Sequence, residues 1–143
     1  MTPPPSPPQR GGGNKWQLVA VALSVAGVAV SIYLTVLHFI GFAPACPTSG
    51  PVNCEAVLSS AYAVIAGTAV PTSAAGIAWF AISAVLWTRP FGPPQLAWSA
   101  LGVVTVLYLV FIEIVRIGAI CLWCTTAHVL VVALFLIALT LRR

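Results

Sequence analysis

Four cysteines carry the reactive chemistry of this sequence. Cys46 and Cys54 stand with seven residues between them, and Cys121 and Cys124 close a Cys-Leu-Trp-Cys run. Sulfur pairs of this kind open and close as disulfides, and the attacking species is a thiolate. A Cys-x-x-Cys at a helix start places its first sulfur among backbone N–H groups that lack partners, which favours thiolate over thiol. The wider pair brackets Pro47-Thr48-Ser49-Gly50-Pro51, a flexible segment able to reach outward to another protein and back. His128 lies four residues after Cys124, one helical turn further along the same face.

The elements that must position these groups are not built for water. Of the 143 residues, 60% are hydrophobic and 6% charged, against about 25% charged in a soluble domain. Apolar stretches run from about Gln17 to His38, Val70 to Thr88, Gln95 to Val115 and Gly118 to Leu141. Each meets the roughly 20 residues with which a helix crosses a ~30 Å hydrocarbon layer. None alternates as a barrel strand must. The expected fold is therefore an all-α integral membrane bundle of four transmembrane helices, residues 16–143, with a long outward loop between helices 1 and 2. Residues 1–15, rich in Pro and Gly, have nothing to bury and are expected to form a disordered cytoplasmic tail. The net charge of +4 rests on six scattered Lys and Arg residues. They form no basic stripe, so no nucleic-acid partner is expected.

Charge asymmetry sets the orientation. Arg10 and Lys15 precede the first stretch, Arg89 separates the second and third, and Arg142 and Arg143 follow the fourth. The segment from about Gly41 to Ala69 has no Lys or Arg, and the turn between the last two stretches has Arg116 only. Positive-inside bookkeeping puts both termini and the Arg89 turn in the cytoplasm. All four cysteines then fall on the outer face, where disulfides persist. Trp16, Trp87 and Trp98 fall near the inner interface and Trp123 near the outer one, as amphipathic rings prefer. Ala43-Pro44-Ala45 offers small residues before Cys46, but the first apolar run exceeds the 7–15 residues of a signal-peptide core, so cleavage is not expected.

Three other readings of the cysteines compete. Single buried cysteines are often inert small hydrophobes, though two pairs facing one compartment argue against that. Two static disulfides would make the chain a non-catalytic membrane scaffold. A four-thiolate zinc site wants short spacings on both halves, and the Cys46–Cys54 spacing is too wide, so no metal is expected. A pore or transporter would need polar residues at the midplane or broken helices, and the stretches offer little beyond Ser31, Ser83 and Thr105.

The chain resembles the vitamin K epoxide reductases and their bacterial homologues. The likeness rests on Cys46-x7-Cys54, Val57-Leu58-Ser59-Ser60-x-Tyr62, Gly67, Pro71, Gly76 and Cys121-x-x-Cys124 opening the last helix, from about Lys15 to Leu141. Membrane thiol oxidases of the periplasmic disulfide-bond protein B type carry the two pairs in the opposite order. The resemblance implies a four-helix bundle around a quinone, with a short helical segment after Cys54 lying across the outer mouth. It implies that electrons pass from a thioredoxin-like partner to Cys46, then from Cys54 to Cys121, with Cys124 facing the quinone, ubiquinone or menaquinone. Many bacterial relatives carry the thioredoxin-like domain fused at the C-terminus. Here the partner is expected to be a separate periplasmic oxidant, and the location a bacterial inner (plasma) membrane, multi-pass. The implied activity is thiol:quinone oxidoreduction that reoxidises a disulfide-forming partner. The alternative is vitamin K quinone or epoxide reduction in the strict sense.

Two positions depart from the family pattern. Vertebrate members use an asparagine near the start of the second span and a tyrosine four residues after the last cysteine to bond the quinone oxygens. The matching residues here are Thr72 and His128. An ionisable residue inside a membrane is costly, so His128 is read either as a quinone ligand or as a neutral ring bonding the backbone or Thr72. Trp79 and Phe80 are candidates for the apolar walls of the ring site. Glu113 and Arg116, three apart, are expected to form an interfacial ion pair. Thr125 and Thr126 are expected to bond carbonyls of their own helix, Ser59 and Ser60 to cap or pack the segment above the pocket, and His38 to lie at the interface.

Overall fold

The computed structural model describes residues 1–5 and 12–143. Helix α1 spans Gly12–Ile40, α2 Cys54–Leu58, α3 Thr72–Trp87, α4 Pro93–Phe111 and α5 Leu122–Arg142. A 3-10 turn, Ala61–Ala63, follows α2, and a π-helical turn, Ile112–Ile117, continues α4. There is no strand among the described residues, only isolated bridges. Part of the expected tail, residues 6–11, lies outside the described residues, and α1 already includes residues 12–15.

Three helical stretches are long and apolar enough to cross a membrane: Gly13–Ile40, Pro93–Ile117 and Leu122–Arg142. The fourth apolar helix, α3, has 16 residues, so it is shorter than the expected Val70–Thr88 stretch. At 1.5 Å per residue it is ~24 Å long. Prolines set both limits. Pro71 occupies its N-cap, and Pro90 disfavours helical geometry at Arg89. The next helix opens with Pro93 in the first helical position, where a missing N–H costs nothing. Gln95 ties that turn together: its Oε1 accepts from Gly92 N at 3.0 Å, and its Nε2 donates to Leu86 O and Pro90 O at 2.9 and 3.1 Å.

At the other end of α1, Gly41 has φ +72° and its N–H donates to Leu37 O at 3.0 Å. This left-handed cap closes the helix and releases the chain into the loop that carries Cys46. Gln17 Nε2 donates to Arg89 O at 2.7 Å, so the start of α1 lies beside the α3–α4 turn, at the end of the bundle away from the cysteines.

Helix α1 packs along α3 and also against α5, while α5 packs against α4. The core holds Phe80, Trp87, Val106, Val131, Leu134 and Ile137. Trp87 is buried and stacked on Phe91, and Trp98 stacks on Trp79 and donates to Ser83 Oγ at 3.0 Å. Both rings thus pack against the protein, Trp87 fully and Trp98 in part. Ser24, Ser83 and Ser99 are buried with their hydroxyls bonded to carbonyls one turn back.

Small residues permit the close approach of helices, as is common in membrane bundles. A Cβ on Gly27 would overlap the Phe80 ring, and one on Gly102 would overlap Trp79. Gly27→Ala is therefore expected to cost about 1–3 kcal/mol by overpacking. A lowered thermal unfolding midpoint in detergent checks it, and an unchanged midpoint contradicts the close α1–α3 packing.

Candidate functional site

The loop after α1 folds back over one end of the bundle. Asn53 N donates to Ile120 O at 3.0 Å and Ile120 N to Pro51 O at 2.8 Å, a short parallel pairing that fixes the loop to the segment before α5. Asn53 Oδ1 accepts from Ala56 N at 3.0 Å and caps α2. Trp123 Nε1 donates to Ala45 O at 3.0 Å, and the Trp123 ring lies 4.7 Å from that of Tyr33. The side chain read as an outer-interface anchor thus holds the residue before Cys46 in place.

Cys46 and Cys54 are joined as a disulfide, while Cys121 and Cys124 are free thiols. Cys46 is half-buried, Cys54 is 1% exposed and Cys121 is fully enclosed. The four sulfur residues meet in one cluster with Val57, Ala119 and Trp123. Two sulfurs share the N-terminus of α5: Leu122 N donates to Cys54 Sγ at 3.3 Å, and Cys124 N to Cys121 Sγ at 3.2 Å. Cys121 caps the helix just ahead of the segment Leu122–Arg142. Its thiol is held below the ordinary thiol range, first by the hydrogen bond with the Cys124 side chain and then by backbone N–H groups. Burial and the nearby Glu113 carboxyl oppose this without reversing it.

Beneath the sulfurs lies a cavity of about 350 Å³. Cys124, His128, Thr72, Trp79 and Phe80 all line it. Cys46, Cys54 and Cys121 do not; they reach it only through the cluster they share with Cys124. The Thr72–His128 hydrogen bond entertained from the sequence is not formed, because Thr72 Oγ1 donates to Tyr62 O at 3.2 Å. Trp79 Nε1 is buried without a hydrogen-bond partner among the described residues, on the side of the ring packed against Gly102 of α4. Among the described residues no group of three or more His, Cys, Asp or Glu side chains is arranged to hold a metal ion.

The sequence model of the vitamin K epoxide reductase family matches residues 18–139. The chain belongs to that family. Membership in the vitamin K epoxide reductase family sets the class of chemistry: oxidoreduction within a membrane, in a family that uses quinones.

Several residues of this family member escaped the sequence reading. Glu113 does not pair with Arg116. Arg116 Nε donates to Tyr62 OH at 3.1 Å and its guanidinium lies 5.9 Å from the Tyr62 ring centroid. Glu113 is 6% exposed, and its Oε2 accepts from Cys121 N at 3.4 Å. The π turn explains the difference, since Gly118 N donates to Glu113 O at 2.8 Å in place of an α-helical bond. Spacing of three places side chains together on an α-helix, and the wider i→i+5 turn parts them. His38, read as interfacial, lines the cavity. Thr125 Oγ1 and Thr126 Oγ1 bond carbonyls of their own helix, and Ser59 Oγ and Ser60 Oγ bond back to Glu55 O and Val57 O at the end of α2.

Proposed function

We propose that this chain is a membrane thiol:quinone oxidoreductase that takes electrons from a thioredoxin-like partner. Two cysteine pairs carry them to a quinone, and the partner is left oxidised. In this reading α3 is the fourth crossing, both termini are cytoplasmic and the cysteines face the outer side of a bacterial plasma membrane. The observation that carries the reading is the line of sulfurs: half-buried Cys46, bonded Cys54 beside the α5 terminus, Cys121 capping that terminus and Cys124 on the cavity wall.

The steps follow from that order. A partner thiolate attacks Cys46, the Cys46–Cys54 bond breaks, and Cys54 leaves as a thiolate that the Leu122 N–H can stabilise. The partner's second thiol displaces Cys46 and leaves the partner as a disulfide. Cys54 then attacks Cys121 of a Cys121–Cys124 disulfide and releases Cys124, and Cys46 closes again on Cys54. The two thiols so formed give two electrons and two protons to the quinone, which becomes hydroquinone as Cys121 and Cys124 rejoin. The cavity suits the ring: its volume falls within the roughly 300–1,000 Å³ of small-molecule sites, its walls are mostly apolar, and His128 offers a polar contact.

Purified protein supplied with a dithiol donor is expected to reduce benzoquinones or naphthoquinones catalytically, followed optically. Absence of turnover by folded protein with several quinones, and with both a small dithiol and a thioredoxin-like donor, would instead favour static disulfides.

A further inference from the structure

Glu113 is one of two acidic residues in the chain, the other being Glu55 in the loop. It sits on the cavity wall with Cys124 and His128, and no lysine or arginine lines that cavity. The nearest basic residue on its own turn, Arg116, is bonded to Tyr62 instead. A carboxyl group placed at membrane depth without a cation is expensive and calls for a use. The fold takes a specific step to put it there. The π turn, closed by Gly118 at φ +72°, buries Ile112 and Glu113 while Ile114, Val115 and Arg116 stay exposed. π turns inside helices recur at functional sites. The proposed function leaves the carboxyl unused, although its Oε2 is bonded to the backbone of Cys121.

We propose that Glu113 holds the proton that moves between the Cys121–Cys124 thiols and the quinone. The inference rests on the thiol:quinone reading of the site. Its balance is as follows. The Cys124 S–H bond breaks and an O–H bond forms on the Glu113 carboxylate, leaving Cys124 as a thiolate. As Cys121 and Cys124 form their disulfide, two electrons pass to the quinone. One proton reaches a quinone oxygen from Glu113 and the other from the Cys121 thiol, so hydroquinone forms and Glu113 returns to carboxylate. Glu113 exchanges its proton with the reacting atoms themselves and is a proton-carrying residue. The other titratable groups around it are His38 of α1, Tyr62 of the 3-10 turn, Cys121 at the cap of α5, and Cys124 and His128 on α5. Arg116 on its own turn is engaged by Tyr62.

The competing role is purely structural: acceptance of the Cys121 N–H. Glu113→Gln separates the two, because the amide keeps an acceptor of nearly the same size and cannot carry the proton. Quinone reduction driven by a small dithiol is measured from acid to alkaline pH for wild type, Glu113→Gln and Glu113→Asp, with unfolding midpoints alongside. The expected result is a loss of about 100-fold in Glu113→Gln near neutral pH, the lower range for a removed proton-transfer group. The loss should narrow as pH rises, because the thiols then ionise without help from the carboxylate. Glu113→Asp should recover part of the rate and keep the wild-type acid limb, and the midpoints should agree. A rate for Glu113→Gln equal to wild type, or a deficit constant across pH, overturns the proposal. If Glu113→Gln fails to fold, Glu113→Asp decides: loss of the acid limb in that variant also overturns it. Failure of wild type to reduce any quinone would strike the underlying reading instead, so the two failures are distinct.

Discussion

Cys124→Ala is expected to abolish quinone reduction with every electron donor, by about 10³-fold or more, as removal of a covalent nucleophile does. Cys124 is the only one of the four cysteines on the cavity wall, so no other sulfur can meet a ring bound there. The variant should fold normally, since alanine suits the first turn of α5 and the loss of one sulfur leaves the packing around Cys54, Val57 and Ala119 in place. Parallel measurements of turnover and unfolding midpoint test this. Substantial turnover in a folded variant would remove Cys124 from the reaction and, with it, the inward order of the sulfurs.

Cys46→Ala is expected to separate two kinds of donor. Cys54 is 1% exposed whereas Cys46 is half-buried, so a protein thiol can reach the loop disulfide only at Cys46. Turnover with a thioredoxin-like donor should fall by roughly 10²-fold or more, the scale on which loss of a positioned reactive group is felt. A small dithiol can enter the cavity and meet Cys124 directly, and its rate should stay within a few-fold of wild type. Equal, undiminished rates with both donors would refute the relay through the loop pair. Equal loss with both would mean that small thiols also depend on Cys46.

The bundle was legible because long apolar runs declare themselves by composition. Their limits were read less well: Pro71 and Pro93 set helix ends through constraints each residue carries itself, while hydropathy drew the second stretch from Val70 to Thr88. The four sulfurs were readable because apolar runs and charge asymmetry indicate which loops share an end of the bundle. What was hidden depends on partners remote in sequence. Glu113 and Arg116 fit an α-helical ion pair until Gly118 closes a π turn and Tyr62, 54 residues away, takes the guanidinium. Trp123 fits an interfacial ring until the carbonyl of Ala45 takes its N–H. The start of α1 at Gly12 was misplaced because composition alone, a Gly-rich run, argued for coil where the helix continues. Family resemblance did lead to the cavity residues: Thr72 and His128, matched by position, lie on its wall with Trp79 and Phe80.

The shared terminus of α5 has a consequence for directionality. Leu122 N–H serves Cys54 and Cys124 N–H serves Cys121, so negative charge is welcomed by the same helix end whichever sulfur bears it. The helix end alone therefore sets no strong gradient from one sulfur to the other. Such a crossing resembles a level bridge more than a ratchet: traffic runs toward whichever bank has the greater pull. Under the proposed function the net flow then belongs to the two reservoirs, the partner's dithiol and the quinone, where ~30 mV of potential difference corresponds to about 1.4 kcal/mol for two electrons. A bilayer crowded with hydroquinone would run the same sulfurs in reverse.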